Sequence, residues 1–469
     1  MTGMTWDELQ AASGAKLRSG KLSGRADVPG ITTDTRKIAP GDLFVALRGE
    51  NFDGAEFAAE ALAKGAKAVL VNAELSSSSE AALKKAKGAV LTVPDTLKAY
   101  QEIAHAWRMK FDIPVVAVTG SNGKTTTKDL TAAVLSGRGK VCRTAANYNN
   151  EVGLPLTLLG ITPEDMAAVV EIGMRGLGQI AALAPVAAPT IGIVTNVCEV
   201  HMELLGSIEN IAKAKAELAE AVPAGGTVIL NADDERVAAM RSCAADGVRV
   251  LTYGISAAAD VRAEALRCGA GGSSFMVTWA NERHAYSVPL PGRHNVSNAL
   301  AALAAGFVLG LTPQEMQAGL RNLETAKMRY EVHQTGAWTF INDAYNASPS
   351  SMRASIETTA DLYPGRRIAV LGDMLELGAS AEEAHRMIGR RAAELGFAAV
   401  VTYGPQARWI HEAAEAAGCP ICRHAETHAA AAELLRGILA EGDTVLFKGS
   451  RGMRMEQIIA LLTGEEAGH

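Results

Sequence analysis

At 469 residues the chain is too long for one ordinary core, and roughly 150 residues per domain gives about three. Its 45 basic and 51 acidic side chains leave a net charge of −6, and without a cationic excess nucleic acid and other polyanions are not expected as partners. The opening MTGMTWDELQ holds Asp7 and Glu8 and no apolar segment, unlike a signal peptide, and six cysteines without framework spacing (142, 198, 243, 268, 419 and 422) fit reduced thiols, so a cytoplasmic protein is expected.

Residues 1–94 mix the short apolar runs "DLFVAL" and "AKAVLV" with clusters of Gly, Pro and Asp, which predicts a small α/β domain. Ser76–Ser79 reads as a loop ending in a helix cap before "EAALKKA". From Pro114, within a central domain expected over 95–325, the pattern becomes an alternation of buried strands and amphipathic helices. "VVAVTG", "AAVVEIG", "TIGIVTNV" and "GTVILNADD" are apolar runs that end in Gly, Asn or an acid, as parallel strands covered on both faces do. "ALAALAAGFVLGL" (299–311) falls short of the ~18 residues of a membrane span and predicts a buried helix. A third series over 326–469, "WTFINDAYN", "RIAVLGDM", "AAVVTYG" and "DTVLFKGS", again sets polar residues just past each strand, where open α/β sheets bind ligands. Cys419-Pro-Ile-Cys422, with His424 and His428 beyond it, lacks a second pair and reads as two ordinary thiols in a turn. The fold class is therefore α/β, with two nucleotide-type sheets after a smaller first domain.

The chemistry is concentrated in "VAVTGSNGKTTTKDL" (116–130). Val115–Val118 reads as a strand and Lys124 onward as a helix, so Gly120, Ser121, Asn122 and Gly123 lie on the turn a phosphate cradle needs. Glycines let backbone N–H groups approach the anion, Lys124 neutralises terminal phosphates, and Thr125, followed by Thr126, offers a hydroxyl to Mg2+. The spacing is GxxGKT, shorter than the common GxxxxGKS/T. Glu171 closes "AAVVEIG" and His201 follows "GIVTNVCEV", both strand-end candidates for the metal on the same edge as the loop.

With this short loop, and with matches along essentially its whole length, the chain resembles the Mur ligases, the ATP-dependent amino-acid and peptide ligases of peptidoglycan synthesis. The resemblance implies three domains: a UDP-sugar-binding domain, a central ATPase domain and a C-terminal Rossmann-like domain. It assigns Lys124 and Thr125 to ATP phosphate and Mg2+, Glu171 to Mg2+, and His201 to a second metal site. In "HMELLGSIENIAKAK" it identifies Lys215 as the lysine the family carbamylates, which would turn a repelled ammonium into an anionic oxygen ligand; Lys213 lies two residues away. Asn295 and Asn298 of "PGRHNVSNALAALAAG" correspond to adenine contacts, Arg329 of "AKMRYEV" to a phosphate contact, and Asp343, Tyr345 and Asn346 of "INDAYNASPSS" to the nucleotide edge of the last domain.

Four segments and one absent motif choose among the family's activities. "TDTRKIAPGDLFVALRGENFDG" (33–54) resembles the UDP-sugar domain of the tripeptide-forming and dipeptide-adding ligases, with Thr33, Asp34, Thr35 and Arg36 as UDP contacts. "INDAYNASPSS" is similar to the dipeptide-adding enzymes, and the Asp-Asn-Pro-Arg motif that holds diaminopimelate in tripeptide-forming ones is absent. "AANYNNEVGLPLTLL" and "EIGMRGLGQI" fit the same branch, which makes Asn149, Asn150 and Arg175 candidates for gripping the peptide end of the nucleotide. Lys448, Ser450 and Arg451 of "FKGSRGMRME" lie where a dipeptide should dock. The implied reaction joins D-alanyl-D-alanine to UDP-N-acetylmuramoyl-tripeptide with ATP and one or two Mg2+ ions, in a monomer that hinges near residues 94 and 325. The tripeptide-forming ligase is the nearest rival. A binding switch that hydrolyses ATP slowly could dispense with Glu171 or Lys215, and both are present.

Overall fold

The computed structural model describes residues 3–49, 52–200 and 202–464. Among these residues lie three sheets, of five, nine and six strands.

In the five-stranded sheet the order is Lys16–Ser19, Ala89–Val93, Ala68–Asn72, Leu43–Val45 and Ile31–Thr32, parallel except for the first pair. The two apolar runs form its middle. Phe44, Val69, Val71 and Val90 meet Leu62 and Leu83 from covering helices, and each such side chain contributes about 1.5–3 kcal/mol on burial. The serine run differs from expectation. Ser76, not Ser79, is the cap, its Oγ accepting from Ser79 N at 3.2 Å, and the helix already spans Ser77–Lys85. Satisfying an orphan first-turn N–H outweighs the weak helix preference of three serines.

The nine-stranded sheet runs Glu282–Val288, Gly272–Trp279, Val261–Gly269, Arg249–Gly254, Thr227–Asn231, Ile191–Val194, Val115–Thr119, Ala167–Glu171, Val141–Arg143. The four strands expected from apolar runs are its centre and are buried at every position. The first three strands of that order pair antiparallel as a meander that the sequence did not announce. In "VRAEALRCG" Val261 and Ala263 are buried, the remaining positions are half-buried or exposed, and three of them carry charge, so it has no apolar run to read. The 299–311 segment lies mostly in the buried helix Arg293–Val308, as expected.

The six-stranded sheet runs Glu331–Thr335, Trp338–Asn342, Thr444–Lys448, Arg367–Gly372, Ala399–Tyr403, Ile421–Ala425, parallel except for the first pair. Its strands alternate between two cores. Ile341, Leu371 and Leu446 pack under helices through Ile356, Ile388 and Ile410, while Phe340, Val370 and Phe447 point to the other side against Leu435 and Ile458. Cys419 and Cys422 are free and buried in the first core, and Cys422 belongs to the strand Ile421–Ala425 rather than to a turn. No group of three or more His, Cys, Asp or Glu among the described residues is arranged to hold a metal ion.

By contact density the chain divides into two compact units, Met1–Ala117 with Gly139–Gly173 and Ala181–Ile191, and Val118–Arg138 with Met174–Ile180 and Gly192–His469. In the first, helix Thr96–Arg108 is capped by Asp95 and buries Tyr100, Ile103 and Trp107, with Trp107 Nε1 donating to Ile161 O at 3.0 Å. The phosphate-loop helix and the six-stranded sheet belong to the second.

Candidate active site

The loop Gly120–Thr125 follows a fully buried strand and runs directly into helix Lys124–Ser136. Gly120 has φ +150° and a Cβ there would lie 1.8 Å from Thr195 Oγ1; Gly123 has φ +76° and its Cβ would lie 2.6 Å from Asn298 Oδ1. Both positions therefore admit only glycine. No side chain caps the helix, which leaves first-turn N–H groups for another acceptor, as at helix N-termini that bind phosphate. Lys124 Nζ donates to the loop's own carbonyls, Gly120 O at 2.8 Å and Ser121 O at 3.1 Å. Ser121 is held to Cys198 in both directions, its Oγ donating to Cys198 O at 3.1 Å and accepting from Cys198 N at 2.9 Å. Thr125 is buried and Thr126 half-buried.

Glu171 is 1 % exposed at the end of its strand. Oε1 accepts from Asn149 Nδ2 at 2.7 Å, while Oε2 is buried without a hydrogen-bond partner among the described residues. A buried carboxylate oxygen without a donor is costly unless a cation takes it, so Glu171 fits a metal. Asn149 is thus tied to this acid, and Asn150 Oδ1 accepts from Gly153 N at 2.9 Å at the head of the next helix. His201 lies outside the described residues. On helix Ile208–Ala221, Lys215 is buried and Lys213 exposed. Burial and the nearby Lys124 ammonium hold the Lys215 amine well below the ordinary lysine range.

Arg329 sits between two strained residues. Met328 and Tyr330 have φ of +58° and +56°, a left-handed conformation that costs about 1–3 kcal/mol for each side-chain-bearing residue. Tyr330 N donates to Asp343 Oδ1 at 3.1 Å and Tyr345 N to Met328 O at 3.2 Å, which holds the turn. The guanidinium lies 4.0 Å over the Tyr345 ring and reaches Thr125 Oγ1 at 3.4 Å. Nothing in "AKMRYEV" announces this turn, since it has neither Gly nor Asn. Asn298 and Asn295 are buried; Thr127 Oγ1 donates to Asn298 Oδ1, whose Nδ2 donates to Asn295 Oδ1, both at 3.3 Å.

Lys448 is buried, donating to Asp343 Oδ2 at 2.6 Å and to Asn346 O at 3.1 Å. Ser450 Oγ accepts from Leu375 N at 2.9 Å, and exposed Arg451 pairs with Glu456 at 2.7 Å. Exposed Arg175 has its guanidinium 4.0 Å from Glu376 Oε1. In the first domain Asp34 caps a short 3-10 helix formed by Thr35–Lys37, just past Thr33, and forks onto Arg36 at 2.9 and 2.8 Å, which holds its carboxyl well below the usual range. Four residues the sequence reading passed over hold Asn122: Thr195, Asn196, Ser348 and Ser350.

A glycine cradle at a strand-to-helix turn, a buried acid with an open oxygen, and two further α/β sheets define a phosphate-loop enzyme of the nucleotide-dependent class. Comparison with known proteins narrows it. Residues 27–108 match the catalytic domain of the Mur ligase family, 118–306 the Mur ligase middle domain, and 328–451 the Mur ligase glutamate ligase domain. The chain is 37 % identical over 442 residues to the UDP-N-acetylmuramoyl-tripeptide–D-alanyl-D-alanine ligase of Bacillus subtilis (92 % of each chain), and 40 % identical to that of Synechocystis (95 % of this chain, 94 % of that one). Its structure is similar to MurF from Acinetobacter baumannii (TM-score 0.89, 29 % identity, 99 % of both chains) and to MurF ligase from Thermotoga maritima in complex with ADP (TM-score 0.81, 27 % identity, 93 % and 97 %). The chain belongs to the Mur ligase family, within its MurF group. Among the described residues no helix is long and apolar enough to cross a membrane.

Proposed function

We propose that the chain is the ATP-dependent, ADP-forming ligase that adds D-alanyl-D-alanine to UDP-N-acetylmuramoyl-tripeptide, giving the pentapeptide nucleotide of peptidoglycan synthesis. The observation that carries this is the GxxGKT cradle in a chain that aligns with ligases of that name over more than nine-tenths of its length.

A carboxylate is too poor an electrophile to accept an amine, so it is first activated. The tripeptide carboxylate oxygen attacks the γ-phosphorus, the bond to the β-phosphate oxygen breaks, and ADP leaves behind an acyl phosphate. The dipeptide amine then attacks the acyl carbon, and phosphate departs from the tetrahedral intermediate. The protein's share is positioning and charge neutralisation. Lys124 exchanges its two loop carbonyls for phosphate oxygens, with Gly120–Thr126 as the cradle. Arg329, fixed on Tyr345, supplies a second cation. Asn295 and Asn298 are the adenine candidates, and Asp343, Tyr345 and Asn346 the remaining nucleotide contacts.

The proposed ligands for Mg2+ are Thr125, Glu171, His201 and Lys215 as its carbamate. When bound, Mg2+ would supply the positive charge that offsets the repulsion between carboxylate and phosphate oxygens. Glu171 supports this assignment through its unpartnered oxygen. Thr33, Asp34, Thr35 and Arg36 are proposed for UDP, and Asn149, Asn150 and Arg175 for the peptide arm. Ser450 and Arg451 are proposed for the dipeptide, together with Lys448, which acts through the loop it anchors. The functional division proposed is 1–94, 95–325 and 326–469, in a cytoplasmic monomer with hinges near 94 and 325.

The test is phosphate release with ATP, Mg2+ and UDP-N-acetylmuramoyl-tripeptide, with and without D-alanyl-D-alanine, and the mass of the nucleotide product. Release that needs both substrates, with a product heavier by the dipeptide, is expected. Turnover only with the dipeptide nucleotide and a free diamino acid would move the chain to the tripeptide-forming ligases.

A further inference from the structure

Asn122 uses every polar atom it has. Its N–H donates to Asn196 Oδ1 at 2.8 Å, and its C=O accepts from Thr195 Oγ1 at 2.7 Å and Asn196 Nδ2 at 3.0 Å, which binds the phosphate loop to a strand end of the nine-stranded sheet. Its side chain serves a different partner. Nδ2 donates to Ser350 Oγ at 2.8 Å, and Oδ1 accepts from Ser348 Oγ at 3.0 Å. Both serines stand at the head of helix Pro349–Leu362, where Ser348 is also the cap, in a reciprocal pair with Ser351. An amide with its donor and acceptor ends both engaged cannot rotate without losing both bonds. Together with the reach of Arg329 to Thr125, this gives the phosphate loop two direct links to the sequence beyond residue 325.

We propose that Asn122, Ser348 and Ser350 form a latch that positions the last domain on the phosphate loop for the amide-forming half of the reaction. They are positioning residues. The inference rests on the function proposed above, in which the two halves make different demands. Transfer of the γ-phosphoryl group requires the nucleotide, the loop and the tripeptide carboxylate, and from the last domain the nucleotide contacts led by Arg329, which has its own link to the loop through Thr125. Capture of the acyl phosphate also requires an amine delivered by residues of the last domain, at the right distance from the acyl carbon activated at the loop. Misplacing a nucleophile by about 1 Å costs up to about 100-fold. The latch spans those two places, and the Asn122 side chain is taken up by the two serines while its backbone belongs to the cradle.

Ser350 is the residue to change, because it is not the helix cap and belongs to neither the cradle nor the proposed substrate contacts. The full-length Ser350→Ala protein is compared with wild type in two assays. One is single-turnover ADP formation with ATP, Mg2+ and the tripeptide nucleotide but no dipeptide; the other is pentapeptide formation with D-alanyl-D-alanine present. Loss of one such hydrogen bond is expected to slow the second by about 3- to 10-fold and raise the KM for the dipeptide, with the first unchanged. Ser350→Thr, which keeps the hydroxyl, should restore both values. If the alanine protein does not fold, Ser350→Cys keeps the volume, weakens the acceptor and should give the same ordering. Equal slowing of both assays, or no change in either, overturns the latch. Wild type without dipeptide-dependent product overturns the functional reading and the latch with it, whereas an active wild type with indifferent variants overturns the latch alone.

Discussion

Lys448 Nζ lies 2.6 Å from Asp343 Oδ2, with both side chains buried and Ser355 Oγ donating to the same carboxylate oxygen. The pair closes the loop that carries Tyr345 and Asn346, since Lys448 also holds Asn346 O. Burial lowers the Lys448 pKa and the Asp343 carboxylate opposes that shift. Lys448→Met leaves a buried acid without its partner, which should cost about 3–5 kcal/mol. Urea unfolding at neutral pH measures this; a loss below about 1 kcal/mol, the worth of an exposed pair, would show that the bridge adds little.

Lys124→Ala should lower turnover by about 100- to 1000-fold, the usual cost of removing one charge-stabilising donor, with little change in melting temperature. Steady-state phosphate release checks the rate and calorimetry the fold. A tenfold or smaller loss would mean that the backbone cradle suffices.

Lys215 has a lowered pKa, so more of it is neutral amine at a given pH than an ordinary lysine would be. Only the neutral amine attacks CO2, losing a proton to give the carbamate. Carbamylation and activity should therefore persist at neutral pH and fall together on acidification, as the amine takes up a proton. A carbon-13 NMR carbamate signal is expected after equilibration with labelled CO2. It should vanish in Lys215→Ala and persist when the exposed Lys213 is changed instead. A signal that survives loss of Lys215 would move the modification elsewhere.

Gly120→Ala puts a methyl 1.8 Å from Thr195 Oγ1 at φ +150°. The loop must shift, so stability should fall by more than the ~1 kcal/mol of an ordinary glycine effect and activity should be lost. Gly178→Ala is the control: it also has positive φ, +80°, but its Cβ meets nothing within 4 Å, and only backbone strain is expected. Equal losses in the two variants would argue against close packing at Gly120.

Burial pushes the thiols of Cys142 and Cys422 up to about 12, whereas Cys268 is exposed. At neutral pH a disulfide reagent should label Cys268 first and reach Cys142 and Cys422 only in denaturant. Peptide mapping decides this, and early labelling of Cys422 would mean that its core opens readily.

The parallel strands and the phosphate loop were legible because their signals are local. A strand buried on both faces must be apolar throughout, so Val115–Thr119 and Thr227–Asn231 stand out from their neighbours, and a loop that admits a phosphate must carry glycine where a Cβ collides, as at Gly120 and Gly123. The antiparallel meander was not legible, because its strands are half exposed and their polar residues resemble loop. The strained turn at Met328–Tyr330 carries no residue that prefers positive φ, and it is held by Glu331 and, more than ten residues on, by Asp343 and Tyr345.

By itself the sequence pointed to the class of chemistry, since Lys124 and Glu171 stand next to backbone patterns that name their elements, and the family resemblance added Lys215. Only the tertiary structure decided which of those groups are engaged: that Lys215 is buried while Lys213 is exposed, that Glu171 keeps an oxygen without a partner among the described residues, and that Asn122 reaches Ser348 and Ser350, more than 200 residues away. Burial and hydrogen-bond satisfaction are properties of neighbours in space, and residue spacing along a chain constrains them only within an element.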